Sequence, residues 1–336
     1  MTEPNSPPPP ELPENVRVFW NRFLDVYEPL RSELYKYCRY LTRSPWDAED
    51  LAQDTLARAF TTLGQMGHAP PNPRAWLFRV ASNLWMDQQR RRRADPAAQM
   101  IAAEPAVTPE LRGSREAAGT LLGSLAPQER AAVVLKDVFD LSLEEIAEAL
   151  ATTTGAIKSA LSRGRGKLAA EPDESEDTAP PPAVLDAFCD AFNARDLDRL
   201  TALLLDNAAV EVVGATTQYG PEAARRTVLH GMMFGSERLS QAAERGGIEA
   251  RFVAGALPDS PRVEVRNHRG RWLLLSWYAH VDGEFVRAIT CLDVEGDRIA
   301  ALKNYFFTPD FIADVCDELG VPHKPNGHRW WLTGRC

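Results

Sequence analysis

At 336 residues the chain exceeds one ordinary small domain, and two or three domains are expected. A net charge of −9 excludes a uniformly basic nucleic-acid binder, yet the bases concentrate in Arg74–Arg93 and Lys158–Lys167, and with screening beyond about 8 Å it is the local patch that decides polyanion binding. Five cysteines (Cys38, Cys189, Cys291, Cys316, Cys336) form no CxxC pair and no Cys/His cluster of zinc spacing, which excludes a disulfide framework or zinc site and points to free thiols in a reducing cytoplasm, with no cofactor and no metal.

Residues 1–14 (MTEPNSPPPPELPE) are polar and proline-rich, a disordered leader without a signal core, and no apolar run reaches membrane-spanning length, so a cytoplasmic protein is expected. From Val16 to Leu41 apolar residues recur three or four apart (Phe19, Phe23, Val26, Tyr27, Leu30, Leu34, Tyr37), a helix interrupted near Pro29. Ser44 then stands as N-cap with Pro45 in the first turn and acids favoured by the helix dipole. The helix that follows turns Leu51, Thr55, Leu56, Ala59 and Leu63 inward and leaves Asp47, Glu49, Asp50, Gln53 and Asp54 as an acidic exposed face.

After the loop Gly64–Pro73 comes the most informative stretch, Pro73–Arg93. Trp76, Leu77, Val80, Ala81 and Leu84 recur at helical spacing and are expected in the core. The other face is expected to offer Arg79, Asn83, Trp85 and the run Arg90, Arg91, Arg92, Arg93 to a polyanion, cations at a helix C-terminus also suiting the dipole.

Ala94–Ser114 lacks a core stripe and reads as a linker. Four short helices follow, near Glu116–Leu125, Pro127–Asp137, Ser142–Leu150 and Thr152–Leu168. Ser142 with Glu145 has capping-box spacing. The last two helices form a helix-turn-helix, locked by Ile146, Ala149, Ile157 and Leu161, with Lys158, Ser159, Ser162, Arg163, Arg165 and Lys167 on the second and no acid there. Gly164 and Gly166 lower helix propensity, so its end is expected to fray or adapt.

An acidic, then proline-rich linker (Glu171–Pro182) leads into a different pattern. Helices are expected at Ala183–Asn193, Asp196–Leu205 and Pro221–Met233. From Ile248 short β-branched and aromatic runs follow (ARFVAG, RVEVRNH, RWLLLSWYAHV, EFVRAITCLDVE, RIAALKNYFFT), with Gly270, Gly283 and Gly296 as turns. A short helix Asp310–Leu319 and a tail with Trp330–Trp331 close the chain. Helices before an antiparallel meander make an α+β domain.

Three of these stretches, DAEDLAQDTLARAF (Asp47–Phe60), RAWLFRVASNLWMDQQRRRR (Arg74–Arg93) and LAPQERAAVVLKDVFDLSLEEIAEALATTTGAIKSALSRGRGKL (Leu125–Leu168), resemble in order and spacing the two domains of bacterial sigma factors of the extracytoplasmic-function group. The C-terminal part, with VLDAFCDAFNARDLDRLTALLLDNAAVEVVG, GPEAARRTVL and the strand meander, resembles the SnoaL-like branch of the nuclear-transport-factor-2-like superfamily, a curved sheet wrapped by helices around an apolar pocket. The fold class implied is multidomain: two all-α sigma domains, the second with the helix-turn-helix, then an α+β cone.

The resemblance implies the domains 15–94 (polymerase and −10 binding), 115–170 (−35 binding) and 183–320 (regulatory), with linkers 95–114 and 171–182 and a tail 321–336. It implies RNA polymerase core (β′ clamp helices, β flap) and promoter DNA as partners, and no membrane. Asp47, Glu49, Asp50, Gln53 and Asp54 would meet polymerase. His68, Asn72, Arg74, Arg79, Asn83 and Arg90–Arg93 would read and open the −10 element, with Arg79, Asn83 and the preceding loop nearest the bases and the four arginines holding backbone. Thr153, Thr154, Lys158, Ser159, Ser162, Arg163, Arg165 and Lys167 would contact the −35 element, and Ala94–Ser114 would thread towards the RNA exit channel. Unstacking a base costs a few kcal/mol, which aromatic stacking offsets by about 1–3 kcal/mol per base. The third domain is expected to modulate activity rather than catalyse, and to be the place for any small-molecule or protein ligand. The alternative is a SnoaL-like enzyme (cyclase, isomerase or hydrolase) with a DNA-targeting helical half, in which Asp206, Tyr219, His230, His280, Asn304 and Tyr305 would face the pocket.

Overall fold

The computed structural model describes residues 23, 25–66, 70–94, 125–167, 182–234, 261–324 and 326–327. The expected leader, the loop residue His68, the linkers, the helix near 116–125, the strand ARFVAG and the Trp330–Trp331 tail lie outside the described residues. The described elements divide into two units, one built from both helical blocks and one from Ala183 onward.

In the helical unit the chain turns at residues 28–30, where Pro29 blocks a continuous helix. Then come α1 (Arg31–Thr42), α2 (Pro45–Met66) and α3 (Pro73–Ala94). Arg43 ends α1 in the left-handed region (φ 67°), and Ser44 Oγ accepts from the Asp47 N–H at 3.3 Å to start α2. The first block's core joins Leu34, Tyr37, Cys38 and Leu41 of α1 to Leu51, Ala52 and Ala59 of α2 and Leu77, Phe78, Ala81 and Trp85 of α3. Two buried hydroxyls are satisfied in series: Ser82 Oγ donates to the Phe78 carbonyl at 2.7 Å, so Tyr37 Oη, 2.7 Å away, donates to Ser82.

The second block is α4 (Pro127–Asp137), α5 (Leu143–Ala149) and α6 (Thr154–Lys167). Its helix starts follow local chemistry. Glu129 Oε2 reaches back to the Ala126 N–H at 3.1 Å. Ser142 and Glu145 form the reciprocal capping box, at 3.2 and 2.8 Å. Thr153 Oγ1 accepts from the Ala156 N–H at 3.2 Å. Ile146, Ala149, Ile157 and Leu161 are all buried between α5 and α6.

The second unit opens with α7 (Ala183–Asn193) and α8 (Leu197–Ala202). Next come β1 (Leu204–Val212), β2 (Thr216–Tyr219) and α9 (Pro221–Ala224), which continues as a π-helical turn over Arg225–Leu229. Then follow β3 (Arg262–His268), β4 (Arg271–His280), β5 (Gly283–Glu295), β6 (Arg298–Tyr305) and α10 (Pro309–Leu319). The sheet order is β2-β1-β6-β5-β4-β3.

Two expectations need correction here. The helix expected over Asp196–Leu205 ends at Ala202 and its last two residues, Leu204 and Leu205, already belong to a strand, so β1 and β2 join the expected meander. The sheet is also not wholly antiparallel, because β1 returns beside β6 in parallel. One row of the sheet runs Val265, Leu274, Thr290, Asn304, Val212 across neighbouring strands. Val265, Leu274 and Val212 pack with Leu185, Phe188 and Phe192 of α7, Leu200 of α8 and Val228 and Leu229 of the π turn into one apolar core. Asn193, at the end of α7, clamps the edge strand: its amide donates to the Val263 carbonyl at 2.9 Å and accepts from the Val263 N–H at 2.8 Å. The helix α10 is held by Phe311 against Tyr305 (4.4 Å between rings) and by Glu318, which takes His268 Nε2 at 2.7 Å and Arg269 at 2.8 and 2.9 Å.

Candidate nucleic-acid interface

An open groove of about 550 Å³ runs between α2 and α3, lined by Arg58, Thr62, Trp76, Arg79, Val80, Asn83, Leu84, Asp87 and Arg90. Arg79 and Asn83 stand exposed in it, as expected, and Arg90 lines its end, its guanidinium donating to Asp87 one turn back. The apolar phase of α3 is corrected. The fully buried face is Leu77, Phe78, Ala81, Ser82 and Trp85, while Trp76, Val80 and Leu84 turn to the groove. Periodicity alone permits either stripe, since both repeat every three to four residues; the stripe ending in Trp85 is the one that packs, with Tyr37 of α1 on Phe78 and Ser82 and Arg130 of α4 over Trp85. Trp76 rests its ring 5.9 Å from Tyr27 and offers the groove an aromatic surface, whereas Trp85, expected outside, is 2% exposed. Arg58 and Thr62 reach the groove from α2, a helix whose own sequence carries no sign of a partner across from it.

On α2 the acidic face is also rearranged. Asp50 and Asp54 are exposed, and Asp47 and Gln53 are half-buried. Glu49 is 3% exposed, its carboxylate 3.4 Å from Arg31 and accepting from Gln53 Nε2 at 2.6 Å. A carboxylate so enclosed orders its own block and does not belong to an exposed face. Asp47 lies 3.7 Å from Arg92. Arg91 and Arg92 are exposed, and the side chain of Arg93 lies outside the described residues.

Along α6, Thr153, Lys158, Ser159 and Ser162 form an exposed outer face, with Thr154 half-buried beside the cap. Arg163 instead donates to Glu129 at 3.0 Å, and Arg165 makes a two-bond pair with Asp137, one bond at 3.1 Å. Both guanidiniums stay more than half exposed, at 59 and 54%. The Lys167 side chain lies outside the described residues. α6 runs through Gly164 to Lys167, and Gly164 is buried, so that a β-carbon there would meet Val133 Cγ2 at 2.8 Å. It serves close helix packing.

The two helical blocks touch through residues expected on the −10 side. Asn72 caps α3 through Oδ1 (Ala75 N–H, 3.0 Å), and its Nδ2 lies 3.4 Å from Glu145 of α5. Arg74 donates to Glu33 at 2.7 Å, reaches the Phe139 carbonyl at 3.5 Å, and stacks over Phe78 and Phe139 at 5.3 and 5.9 Å. Arg130 donates to the Leu41 carbonyl at 2.5 Å and lies over the Trp85 ring at 5.3 Å. Burial pulls its guanidinium down to about 10, with the neighbouring Arg43 adding to the fall.

In the α+β unit the six expected inward polar residues occupy separate surroundings. The Asp206 side chain is 98% exposed and Tyr219 is 73% exposed. His230 packs on Phe234 and His280 on Phe285, while Asn304 donates to Thr290 Oγ1 at 2.9 Å and Tyr305 sits on Phe311. Burial lowers the His280 pKa first, and Lys324 and Arg287 add to that. Cys189 and Cys316 are pushed up to about 12 by burial, and burial drives Cys38 well above the ordinary thiol range, so these thiols are poor nucleophiles. Among the described residues no His/Cys/Asp/Glu group is placed to hold a metal, and no helix is long and apolar enough to cross a membrane.

Fold and surface together define the class: a helix-turn-helix block beside a second, basic helical block, followed by an α+β unit. Family comparison agrees with it, residues 26–94 matching Sigma-70 region 2 and residues 115–168 matching Sigma-70, region 4. The chain is 32% identical over 240 residues to the ECF RNA polymerase sigma factor SigG of Mycobacterium tuberculosis, covering 60% of this chain and 64% of SigG, just under two thirds of that relative's length. It is 31% identical over 223 residues to SigJ of the same organism, covering 59% of this chain and 67% of SigJ. A crystal structure of SigJ aligns over 86% of this chain and 97% of its own, at 24% identity and a TM-score of 0.31. The chain belongs to the extracytoplasmic-function family of RNA polymerase sigma factors.

Proposed function

We propose that the chain binds RNA polymerase core and directs promoter-specific initiation, opening the −10 element with the first helical block and reading the −35 element with the second. One observation carries this reading: the α2–α3 groove combines cations (Arg58, Arg79, Arg90), an amide (Asn83) and an aromatic wall (Trp76). That is the donor set an unstacked base with its phosphate requires. The exposed Thr153, Lys158, Ser159 and Ser162 of α6 supply duplex contacts, most of them to phosphate. Arg163 and Arg165 join them by exchanging Glu129 and Asp137 for DNA. Asp47, Asp50, Gln53 and Asp54 meet polymerase, on the β′ clamp helices, and the second block meets the β flap. Glu49 is left out of that surface.

The α+β unit modulates the other two parts, and its cytoplasmic setting follows from its partners. The separate surroundings of Asp206, Tyr219, His230, His280, Asn304 and Tyr305 weigh against an acid–base pair and for a non-enzymatic role. Purified full-length protein, and a truncation ending at Leu168, are mixed with core polymerase and a promoter library. Promoter-specific run-off transcripts are expected from at least one of them, and none from either overturns the proposal.

A further inference from the structure

We infer that the β2 margin of the sheet is a self-association surface, where two copies of this chain pair β2 to β2, antiparallel, about a two-fold axis at Gln218. The two margins of the sheet, β2 and β3, differ in kind. At β3 the Asn193 amide occupies the backbone of Val263, and Arg262, Glu264 and Arg266 stand in ion pairs along the strand. At β2 the sequence is Thr216, Thr217, Gln218, Tyr219: no charge, no proline, and residues that favour an extended chain. Charges, prolines and clamps are what keep an edge from pairing, and among the described residues β2 carries none of them.

The direction of the backbone groups sets the register. The Gly220 N–H donates to the Ala208 carbonyl of β1 at 2.9 Å. Backbone groups alternate sides along a strand, so those of Gln218 and Thr216 also turn to β1, and those of Thr217 and Tyr219 turn to the open margin. Gln218 lies opposite the buried Val210, and Tyr219 lies opposite Ala209. Gln218 is therefore on the core side of the sheet, and Thr217 and Tyr219 are on the other. Pairing of identical strands must join outward-turned groups and keep each face continuous. An axis at Gln218 does both: Thr217 of each copy exchanges both backbone bonds with Tyr219 of the other, and Gln218 stands opposite itself. An axis at Thr217 would form half as many bonds.

The side chains then match. Tyr219, 73% exposed, is the one aromatic among the large apolar side chains that stand exposed in the described residues. It lies against Thr217 of the other copy, an aromatic and β-branched cross-strand pair. The two Gln218 amides, each donor and acceptor, face one another across the axis. A second copy supplies this neutral, self-matching pattern by construction. The contact is small, so the association falls in the micromolar range. It also closes at two copies, because the outermost strand left on each side is the guarded β3.

The test follows the mass of the full chain by sedimentation velocity from about 1 µM to about 100 µM, as wild type and with Thr217→Pro, Gln218→Lys and Gln218→Glu. Wild type is expected to pass from monomer to dimer as concentration rises and to form nothing larger. Thr217→Pro removes an N–H that β1 does not use, so the strand keeps its place in its own sheet. It is expected to raise the dissociation constant about tenfold or more. Gln218→Lys and Gln218→Glu each set like charges on the axis and are expected to weaken the dimer by a similar factor, while an equal mixture of the two recovers it. A wild type that stays monomeric throughout assigns this edge to some other partner and overturns the proposal. So does a dimer that Thr217→Pro leaves unchanged, or a mixture of the Gln218 variants no more associated than either alone.

Discussion

Gly164 of α6 lies so close to Val133 of α4 that a β-carbon on it would sit 2.8 Å from Val133 Cγ2 and 3.6 Å from the Glu129 backbone oxygen. A β-branched side chain fixed in a core has little room to yield, so Gly164→Ala forces the two helices of the DNA-reading block apart. Helix propensity favours alanine by about 1 kcal/mol, and overpacking opposes it by about 1–3 kcal/mol. A lower melting temperature is expected, and a rise would show that α6 shifts freely on α4.

Two tryptophans of one helix are expected to separate stability from DNA opening. Trp85→Ala removes a ring that is 2% exposed and should cost about 3–5 kcal/mol in denaturant unfolding. Trp76→Ala, at the groove wall, should leave unfolding nearly unchanged and weaken strand opening by about 1–3 kcal/mol, read as permanganate reactivity of promoter thymines. Equal stability losses for both would return Trp76 to the core.

Lys158 and Arg163 should differ in their salt signatures. Lys158 stands on the exposed face of α6, and Lys158→Gln is expected to reduce the slope of log affinity against log salt by about one. Arg163 faces Glu129, whose side chain is 6% exposed. Arg163→Gln is therefore expected to destabilise the block as well, by about 1 kcal/mol after allowing for the exposure of the arginine. An unchanged slope for Lys158→Gln assigns that lysine to base reading or to none.

Glu145 gives the helix-turn-helix a dependence on acid. The Ser142 N–H, then the Ser142 hydroxyl, hold its carboxyl below the ordinary glutamate value. Because the folded pKa is the lower one, the stabilisation is complete above the unfolded pKa and is lost as pH falls through the folded one. Below about pH 4.5, wild type should therefore lose stability relative to Glu145→Gln, which keeps an acceptor for the cap but has no proton to take up. Parallel unfolding curves for the two proteins down to about pH 3 would remove this role.

Features set by neighbouring residues were legible in the sequence. Ser142 and Glu145, Ser44 and Pro45, and the alternation of RVEVRNH each specify their element within a few positions, and the structure has them there. What escaped depends on distant partners. The buried face of α3 meets Tyr37 of α1 at Phe78 and Ser82 and Arg130 of α4 at Trp85, which leaves Trp76 at the groove. β1 carries the mixed run LLDNAAVEV, and it becomes a strand between two partners, β2 just after it and β6 some ninety residues on. The ring of Phe139 and the guanidinium of Arg130 find their places in the first block across long stretches of chain, and no local pattern encodes such a meeting. Gly164 was visible as a glycine, but its purpose became readable only with Val133 opposite.

The two hydrogen bonds between Asn193 and Val263, one donated by each, occupy the N–H and the C=O that an incoming strand would need at that point of β3. A foreign segment adding there would have to displace an amide already bound on both sides, and beside it the alternating Arg262, Glu264 and Arg266 would have to leave their ion pairs. That margin of the sheet is thereby guarded against edge-to-edge aggregation, and a protein carrying Asn193→Ala should be the more prone to form fibres on storage.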